Sequence, residues 1–467
     1  QVKIFGDYVR FFFDMPCPTH AIQPQMVLTT IDQAVHRAKG SPAGPVHINC
    51  MFREPLNPQK TKKDIKRYLL GIGAWEKSGA PFTSYTKAQK DFTVAQANEI
   101  LPILTLAKSG VIVVGKISRE EEREQVLKLA EKLNWPVFPD ITSGLRFKQH
   151  PNIISFYDQL LLSEKFQRNF KADCVLHLGG RITSKRWYQY VEKVKPKNYI
   201  MVLDHPLRND PLHNVTVRVE APILKFSEGL LNVISLRRPK DKFLTRLHLI
   251  SQKIDQTIES FIAKDKGLSE ITASRLISLQ IKEGSGLFLA SSLPIREVDM
   301  YAAVTNKQLT IESNRGASGI DGTIASATGF LNGINKPATL LIGDLAFLHD
   351  LNSLALLQKT KHPLVIVVLN NNGGGIFSFL PVAQTTPHFE KYFGTSHGLN
   401  FKAVRDLFDL NYANPKTKKD FTREYAKAFR QSRSTIIEIT TGREDTYKEH
   451  KDLQQHIVTV VDRLLSS

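Results

Sequence analysis

Short β-branched runs alternate with longer stretches of helical period along most of the chain. Between about 58 and 238 the runs at 110–114, 136–138, 172–178 and 198–203 are separated by helix-forming segments such as the charged stretch 118–133. Alternation of this kind predicts parallel strands joined by crossover helices. The pattern repeats between 239 and 467 with stronger signals. Helices are predicted over 243–261 and 269–280, strands over 286–290, 338–342 and 364–369, and a last strand over 435–439 behind a helix at 422–431. One amphipathic helix, about 347–360, is predicted between the strands 338–342 and 364–369. Residues 1–57 read differently, with a helix over 26–38, an extended stretch over 44–50 and an exit bounded by Pro55 and Pro58, like the tail end of a domain. The expected fold class is α/β, with doubly wound parallel-sheet domains, divided into 1–57, 58–238 and 239–467.

Composition narrows this picture without changing it. The 467 residues, 42% hydrophobic and 23% charged, are ordinary for a chain with a large core, which argues against intrinsic disorder. Sixty-three Lys and Arg against 45 Asp and Glu leave a net charge of +18, so nucleic-acid binding has to be considered. The basic residues are scattered, however. Clusters at Lys60, Lys62 and Lys63, at Lys193, Lys195 and Lys197, and at Lys416, Lys418 and Lys419 are each interrupted by Pro, Thr or acidic neighbours. Solvated faces are expected, and no nucleic-acid partner; a second reading is a field that attracts small acidic substrates. Cys17, Cys50 and Cys174 lie far apart without metal-ligand spacing, which argues for a reducing compartment and against a disulfide framework or zinc site. No apolar run approaches the ~18 to 20 residues of a membrane helix, so no membrane span is expected. The opening from Gln1 is polar and aromatic, unlike a signal peptide, and reads as the continuation of something longer.

The chemistry concentrates at two strand ends. The strand 338–342 runs into Gly343 and Asp344, and the strand 364–369 runs into Asn370, Asn371, Asn372, Gly373, Gly374 and Gly375. Polar residues at the carboxyl ends of neighbouring parallel strands sit where open α/β sheets bind ligands. A carboxylate, an amide and an exposed peptide oxygen are hard donors suited to Mg²⁺, which completes its shell with phosphate oxygens and water. The pair of strand ends thus predicts a metal-bridged diphosphate, with the glycines allowing close backbone approach and positive φ. Taken singly, each feature has a plainer reading: an Asp that only caps a helix, and an Asn-Gly that only turns the chain. Gly179 and Gly180, after the run 172–178, lack the full G-x-G-x-x-G of a dinucleotide site and are expected to form a tight turn.

These residues resemble a known family. The Gly-Asp followed 27 residues later by Asn-Asn looks like the signature of thiamine-diphosphate enzymes. Four longer stretches, SNRGASGIDG (313–322), GDLAFLHDLNSLALL (343–357), NNNGGGIFSFLP (370–381) and GPVHINCMFREPL (44–56), resemble the 2-succinyl-5-enolpyruvyl-6-hydroxy-3-cyclohexene-1-carboxylate synthases of menaquinone and phylloquinone synthesis. Leu345 stands where the general signature has Gly, as it does in this particular family. The resemblance implies sheet domains of the thiamine-diphosphate enzyme type, with thiamine diphosphate held through Mg²⁺ (or Mn²⁺) on Asp344, Asn371 and the main chain of Gly373. Gly343, Leu345 and Gly374 would lie along the cofactor, and Ile320, Ile376 and Phe377 would line the pocket, although core packing alone explains such apolar residues. The implied reaction decarboxylates 2-oxoglutarate and adds the succinyl unit to isochorismate. Both substrates are dicarboxylates, so fixed arginines are required. Arg315 is the first candidate, Arg296 with Ser292 the second, and Lys185 with Arg186 match a weaker position for isochorismate; surface ion pairs are the plain alternative.

The family also uses a glutamate that activates the cofactor, carried by an amino-terminal pyrimidine-binding domain. Glu54 does not match that position, so the activating glutamate is expected to be absent from this sequence and residues 1–57 to be the end of that domain. A fragment, a shortened inactive homologue and a subunit completed in trans remain open, as does a non-catalytic anion-binding subunit. An acetolactate-synthase-like carboligase is disfavoured by Leu345. The resemblance further implies a homodimer or homotetramer, and the wording of the first 50 residues points to the plastid stroma, with bacterial cytoplasm as the alternative.

Overall fold

The computed structural model describes residues 1–57, 65–86, 90–235, 242–264, 267–316 and 319–466. The expected boundary residues 58 and 238, and Lys60, Lys62 and Lys63, lie outside the described residues. The chain divides into two compact units, Gln1–Asp91 with Asp204–Arg208, and Phe92–Leu203 with Asn209–Ser467.

In the first unit, β1 (Phe12–Met15) and β2 (His47–Cys50) pair in parallel, Phe12 opposite His47, across the helix Pro24–Lys39. Proline in that helix's first turn costs no hydrogen bond, since the first N–H groups have no intrahelical acceptor. Ser41 Oγ and Lys90 Nζ both donate to the main-chain oxygen of Asp204, which ties 204–208 to this unit.

The second unit holds two parallel sheets. The first contains β3 (Gly110–Val114), β4 (Val137–Pro139), β5 (Cys174–Leu178), β6 (Asn198–Leu203) and β7 (Val217–Glu220) in the order β4-β3-β5-β6-β7. Every residue of β3 and β5 is buried, as expected of a parallel sheet covered on both faces. Gly179 turns the chain with φ +86°, and a Cβ there would meet the Lys116 carbonyl at 2.5 Å. The tight-turn reading therefore holds.

The second sheet contains β8 (Gly286–Leu289), β9 (Thr310–Ser313), β10 (Ala338–Gly343), β11 (Leu364–Asn370), β12 (Asn411–Ala413) and β13 (Thr435–Thr440) in the order β12-β13-β11-β10-β8-β9. All pairs are parallel, so the carboxyl ends share one edge. After β8 the chain adds β9 on one side and β10 on the other, and such a reversal opens the crevice where α/β sheets bind ligands. Helices Lys242–Lys264 and Arg443–Leu464 bury Ile250, Ile254, Leu453 and Ile457 in a cluster that continues to Val111 and Val175 of the first sheet. Among the described residues no helix is long and apolar enough to cross a membrane.

Three departures from the sequence pattern have physical causes. The single helix expected over 347–360 is instead an α-helix, Asp344–His349, and a 3₁₀ helix, Leu351–Lys359. Asp350 breaks it: its Oδ2 accepts from the N–H groups of Ile324 (2.6 Å) and Ala325 (2.9 Å) and so caps the neighbouring helix Thr323–Ile334. The helix expected at 422–431 spans Lys418–Ala428, because Thr417 Oγ1 accepts the Asp420 N–H and starts it earlier. Strands β1, β7, β9 and β12 were not expected; they are three or four residues long and half-exposed, so they carry little hydrophobic signal.

Candidate functional site

Register decides which residues meet at the carboxyl edge of the second sheet. Leu289 pairs with both Ser313 and Leu341, Gly343 with Leu369, and Asn370 with Thr440. Arg315 therefore follows β9, Ser292 and Arg296 follow β8, Asp344 and Leu345 follow β10, Asn371 to Gly374 follow β11, and Thr441 follows β13, all along one edge.

Asp344 is buried, and Gly343, not Asp344, occupies the N-cap position of its helix. Its Oδ1 accepts the Leu345 N–H at 2.7 Å; its Oδ2 accepts the Gly373 N–H at 2.9 Å, which joins the two strand ends directly. His397 Nε2 lies 3.1 Å from the same Oδ2. Because His397 Nδ1 accepts the Leu399 N–H at 3.0 Å, the proton sits on Nε2 and is donated to the carboxylate.

The three asparagines do three different jobs. Asn370 donates to Glu438 Oε1 on β13 (2.6 Å) and to the Leu399 carbonyl (2.9 Å). Asn371 donates Nδ2 to Glu270 Oε1 at 3.0 Å, which leaves its Oδ1 buried without a partner. Asn372, at φ +63°, accepts the N–H groups of His397 and Gly398 on Oδ1 at 3.0 and 2.7 Å. Gly373 sits at φ +133° with no room for a Cβ, which would lie 2.0 Å from the Gly394 carbonyl oxygen; a Cβ on Gly375 would lie 2.6 Å from Asn371 Nδ2. The glycines thus admit the protein's own segments as well as a ligand. A cavity of about 690 Å³ opens beside Asn371 and Asn372, lined also by Ser378, Arg443, Tyr447 and Lys448. Ile376 and Phe377 are half-buried, Phe377 edge-on to Phe393, and Ile320 packs half-buried on the core around Ile324.

The candidate arginines gather toward the β8 end. Ser292 holds φ +77°, a left-handed conformation that costs a non-glycine residue about 1–3 kcal/mol and clusters at functional sites. Arg296 Nη1 donates back to the Ser292 carbonyl. Burial first, and then the neighbouring Arg315 guanidinium, lower the Arg296 pKa, opposed by Asp158 and Asp299. A half-buried cation whose charge a second cation disfavours is a setting that favours an anionic ligand. Arg315 has no ion-pair partner among the described residues, whereas Arg186 is already paired with buried Asp158. Lys185 is exposed at the start of the helix Lys185–Val194, so of these candidates it is the one the fold does not bring inward.

Residues 66–289 match the family described as "Middle domain of thiamine pyrophosphate", and residues 298–439 match "Thiamine pyrophosphate enzyme, C-terminal TPP binding domain". The 2-succinyl-5-enolpyruvyl-6-hydroxy-3-cyclohexene-1-carboxylate synthase of Rubrobacter xylanophilus is 40% identical over 454 residues, 97% of this chain and 78% of the relative. The chain belongs to the 2-succinyl-5-enolpyruvyl-6-hydroxy-3-cyclohexene-1-carboxylate synthase family. The synthase of the same name from Prosthecochloris aestuarii is 38% identical over 464 residues, covering 99% of this chain and 78% of that one. The fold is also that of a solved thiamine-diphosphate-dependent 4-hydroxybenzoylformate decarboxylase from Rhodococcus jostii, at TM-score 0.64 and 17% identity over 94% of this chain and 78% of the other.

In this synthase-family chain a buried network behind Asn371 escaped the sequence reading. Glu270, at the start of the helix Glu270–Gln280, accepts on a single oxygen, Oε1, from Asn371 Nδ2, Thr441 Oγ1 (2.8 Å) and Thr446 Oγ1 (3.1 Å). Its Oε2 is buried without a hydrogen-bond partner, and the Glu297 carboxyl stands nearby. Burial, and for Glu270 the nearby Glu297 charge, push both carboxyl groups up to about 8. Glu297 accepts from Ser274 Oγ (3.3 Å) and His450 Nε2 (3.2 Å). Tyr301 OH, 2.9 Å from His450 Nδ1, completes the chain. Nothing local marks these residues; Glu270 lies 101 positions from Asn371. His397 and Arg443, which pairs with Glu390 at 2.6 Å, were missed for the same reason.

Proposed function

We propose that this chain carries out thiamine-diphosphate-dependent decarboxylation of 2-oxoglutarate and adds the succinyl unit to isochorismate, giving the 2-succinyl-5-enolpyruvyl-6-hydroxy-3-cyclohexene-1-carboxylate of the relatives' name. The observation that carries the reading is the buried, unpartnered Oδ1 of Asn371, next to a carboxylate already joined to the main chain of Gly373. Among the described residues no three His, Cys, Asp or Glu converge as a metal cluster, so a cation here relies on one acid, one amide and a peptide oxygen, the hard donors that suit Mg²⁺ or Mn²⁺. Asp344, Asn371 and the Gly373 carbonyl would hold it, with Gly343, Leu345 and Gly374 along the diphosphate and Ile320, Ile376 and Phe377 as apolar walls. Bound thiamine diphosphate supplies the electron sink for both bond changes.

The protein's own part is orientation and charge. Arg315, free of an ion pair among the described residues, and Arg296, held by Ser292, receive substrate carboxylates; Arg186 shares its charge with Asp158 and is set for the second dicarboxylate, with Lys185 at the rim. We keep the three-part division at 57 and 238, and the homodimer or homotetramer, which light scattering tests. The relatives named above are bacterial, which supports a menaquinone role over a plastid phylloquinone one. Calorimetry with thiamine diphosphate and Mg²⁺ should give saturable binding that a chelator abolishes, weakened about 10-fold or more in Asn371→Ala, the scale seen even for groups behind a ligand. Product formation from 2-oxoglutarate and isochorismate tests the reaction itself, and absence of metal-dependent binding overturns the reading.

A further inference from the structure

We infer that Glu270 is the positioning residue for Asn371, holding the amide so that its oxygen, not its nitrogen, is presented to the cation; this rests on the metal reading of Asn371 above. An amide on a loop can present either end, and the two ends differ in sign toward a cation: the oxygen is a ligand, the nitrogen a repelling donor. Here the choice is made by the acceptor behind it. Glu270 Oε1 lies 3.0 Å from Asn371 Nδ2 and is itself fixed by Thr441 Oγ1 and Thr446 Oγ1 at 2.8 and 3.1 Å. Thr441 follows β13, and Thr446 lies buried in the first turn of Arg443–Leu464. Gly375 removes the remaining obstacle, since a Cβ there would press 2.6 Å from Asn371 Nδ2 and push the amide off this acceptor.

Burying an acid at this point carries a cost. Glu270 is wholly buried, it makes no ion pair with a Lys, Arg or His among the described residues, and it stands beside a second buried carboxyl, Glu297. An apolar residue of the same volume would leave the three donors that meet on Oε1 without their acceptor. What an apolar residue cannot do is set the amide.

The test separates aim from bulk and from charge. Glu270→Gln keeps the accepting oxygen at the same reach without the acid; Glu270→Asp keeps the acid but withdraws it by one methylene; Glu270→Leu keeps volume without an acceptor. Titrating Mg²⁺ into each protein in the presence of thiamine diphosphate, followed by calorimetry, should give Glu270→Gln within about threefold of wild type and the other two about 10- to 100-fold weaker. Circular dichroism melts identify a variant that has not folded, and Glu270→Asp carries the comparison if Glu270→Leu does not fold. Wild-type affinity in Glu270→Asp overturns the inference. So does a Glu270→Gln as weak as Glu270→Asp, since an accepting oxygen at the right reach would then not be what sets the affinity. A wild-type protein that takes up no Mg²⁺ overturns the metal reading and this inference together, and is told apart by that control alone.

Discussion

At the scale of single residues, the site is set by positions where one atom more or less decides the outcome. Gly373 is the sharpest case, since any side chain there meets a main-chain oxygen at 2.0 Å and a φ of +133° at once. Gly373→Ala should lower the melting temperature, with a cost of about 1–3 kcal/mol from the backbone conformation alone, and should also weaken Mg²⁺-dependent thiamine diphosphate binding; a variant that melts and binds like wild type would show that 394–395 yields without cost. Arg315 is the complementary case, a cation with nothing to neutralise it among the described residues. Its loss in Arg315→Ala removes a charge-assisted bond worth about 1.5–3 kcal/mol, so KM for one or both dicarboxylates should rise about 10- to 150-fold while half-saturation by thiamine diphosphate stays put. Steady-state kinetics with each ligand varied in turn read the two apart. Asp344, Asn371 and Gly373 were reached from the sequence because each stands within a few residues of the end of a strongly hydrophobic strand, whereas Arg315 and Arg296 came from the resemblance, since β9 carries little hydrophobic signal and Arg296 lies in the helix beyond β8. Glu270, Glu297 and His397 were not reached, because an isolated acid or histidine acquires its meaning only from what the fold sets beside it.

At the scale of elements, legibility follows burial. Strands β3, β5, β10 and β11 are fully or almost fully buried and read as continuous apolar runs, so their positions were predicted to within a residue or two. The edge strands β7, β9 and β12 show mixed exposure and no alternation long enough to register. The helix between β10 and β11 shows a different limit: its period is continuous, but Asp350 leaves it to cap the helix Thr323–Ile334, an exchange that no local window contains. That cap has a measurable worth. Asp350→Ala strips two N–H groups of their acceptor and should cost about 0.5–2 kcal/mol, read as a lower denaturation midpoint with an unchanged slope. A neutral substitution would mean that Ser353, which also bonds Asp350 at 2.6 Å, or water replaces the cap in full.

At the scale of the whole second unit, the same burial that organises the sheets makes stability depend on pH, and His177 on β5 isolates the effect. Its Nε2 faces the Gly180 carbonyl at 2.8 Å, which can only accept, so Nε2 carries the proton and Nδ1 accepts from Tyr199 OH at 2.9 Å. Both nitrogens are satisfied in the neutral ring. Burial accordingly brings the pKa from 6.5 down to about 4; the Gly180 bond works against this, Arg218 adds to it and Asp210 opposes. The unfolded chain takes up a proton on this ring below about 6.5 and the folded one does so only near 4. Falling pH therefore pulls the equilibrium toward unfolding across that window and no further below it. The gap is worth about 3 kcal/mol, a large part of the stability of an ordinary domain. His177→Gln should be less stable than wild type at pH 7, from the lost packing and bonds, yet lose less on acidification, so that the difference between the two proteins shrinks by about that amount between pH 6.5 and 4. His450, also brought down to about 4 but coupled to Glu297 and Glu270, is present in both proteins and cancels in the comparison. A difference that stays constant over the window would assign the acid sensitivity elsewhere and leave the neutral, doubly bonded ring at the end of β5 without a thermodynamic signature.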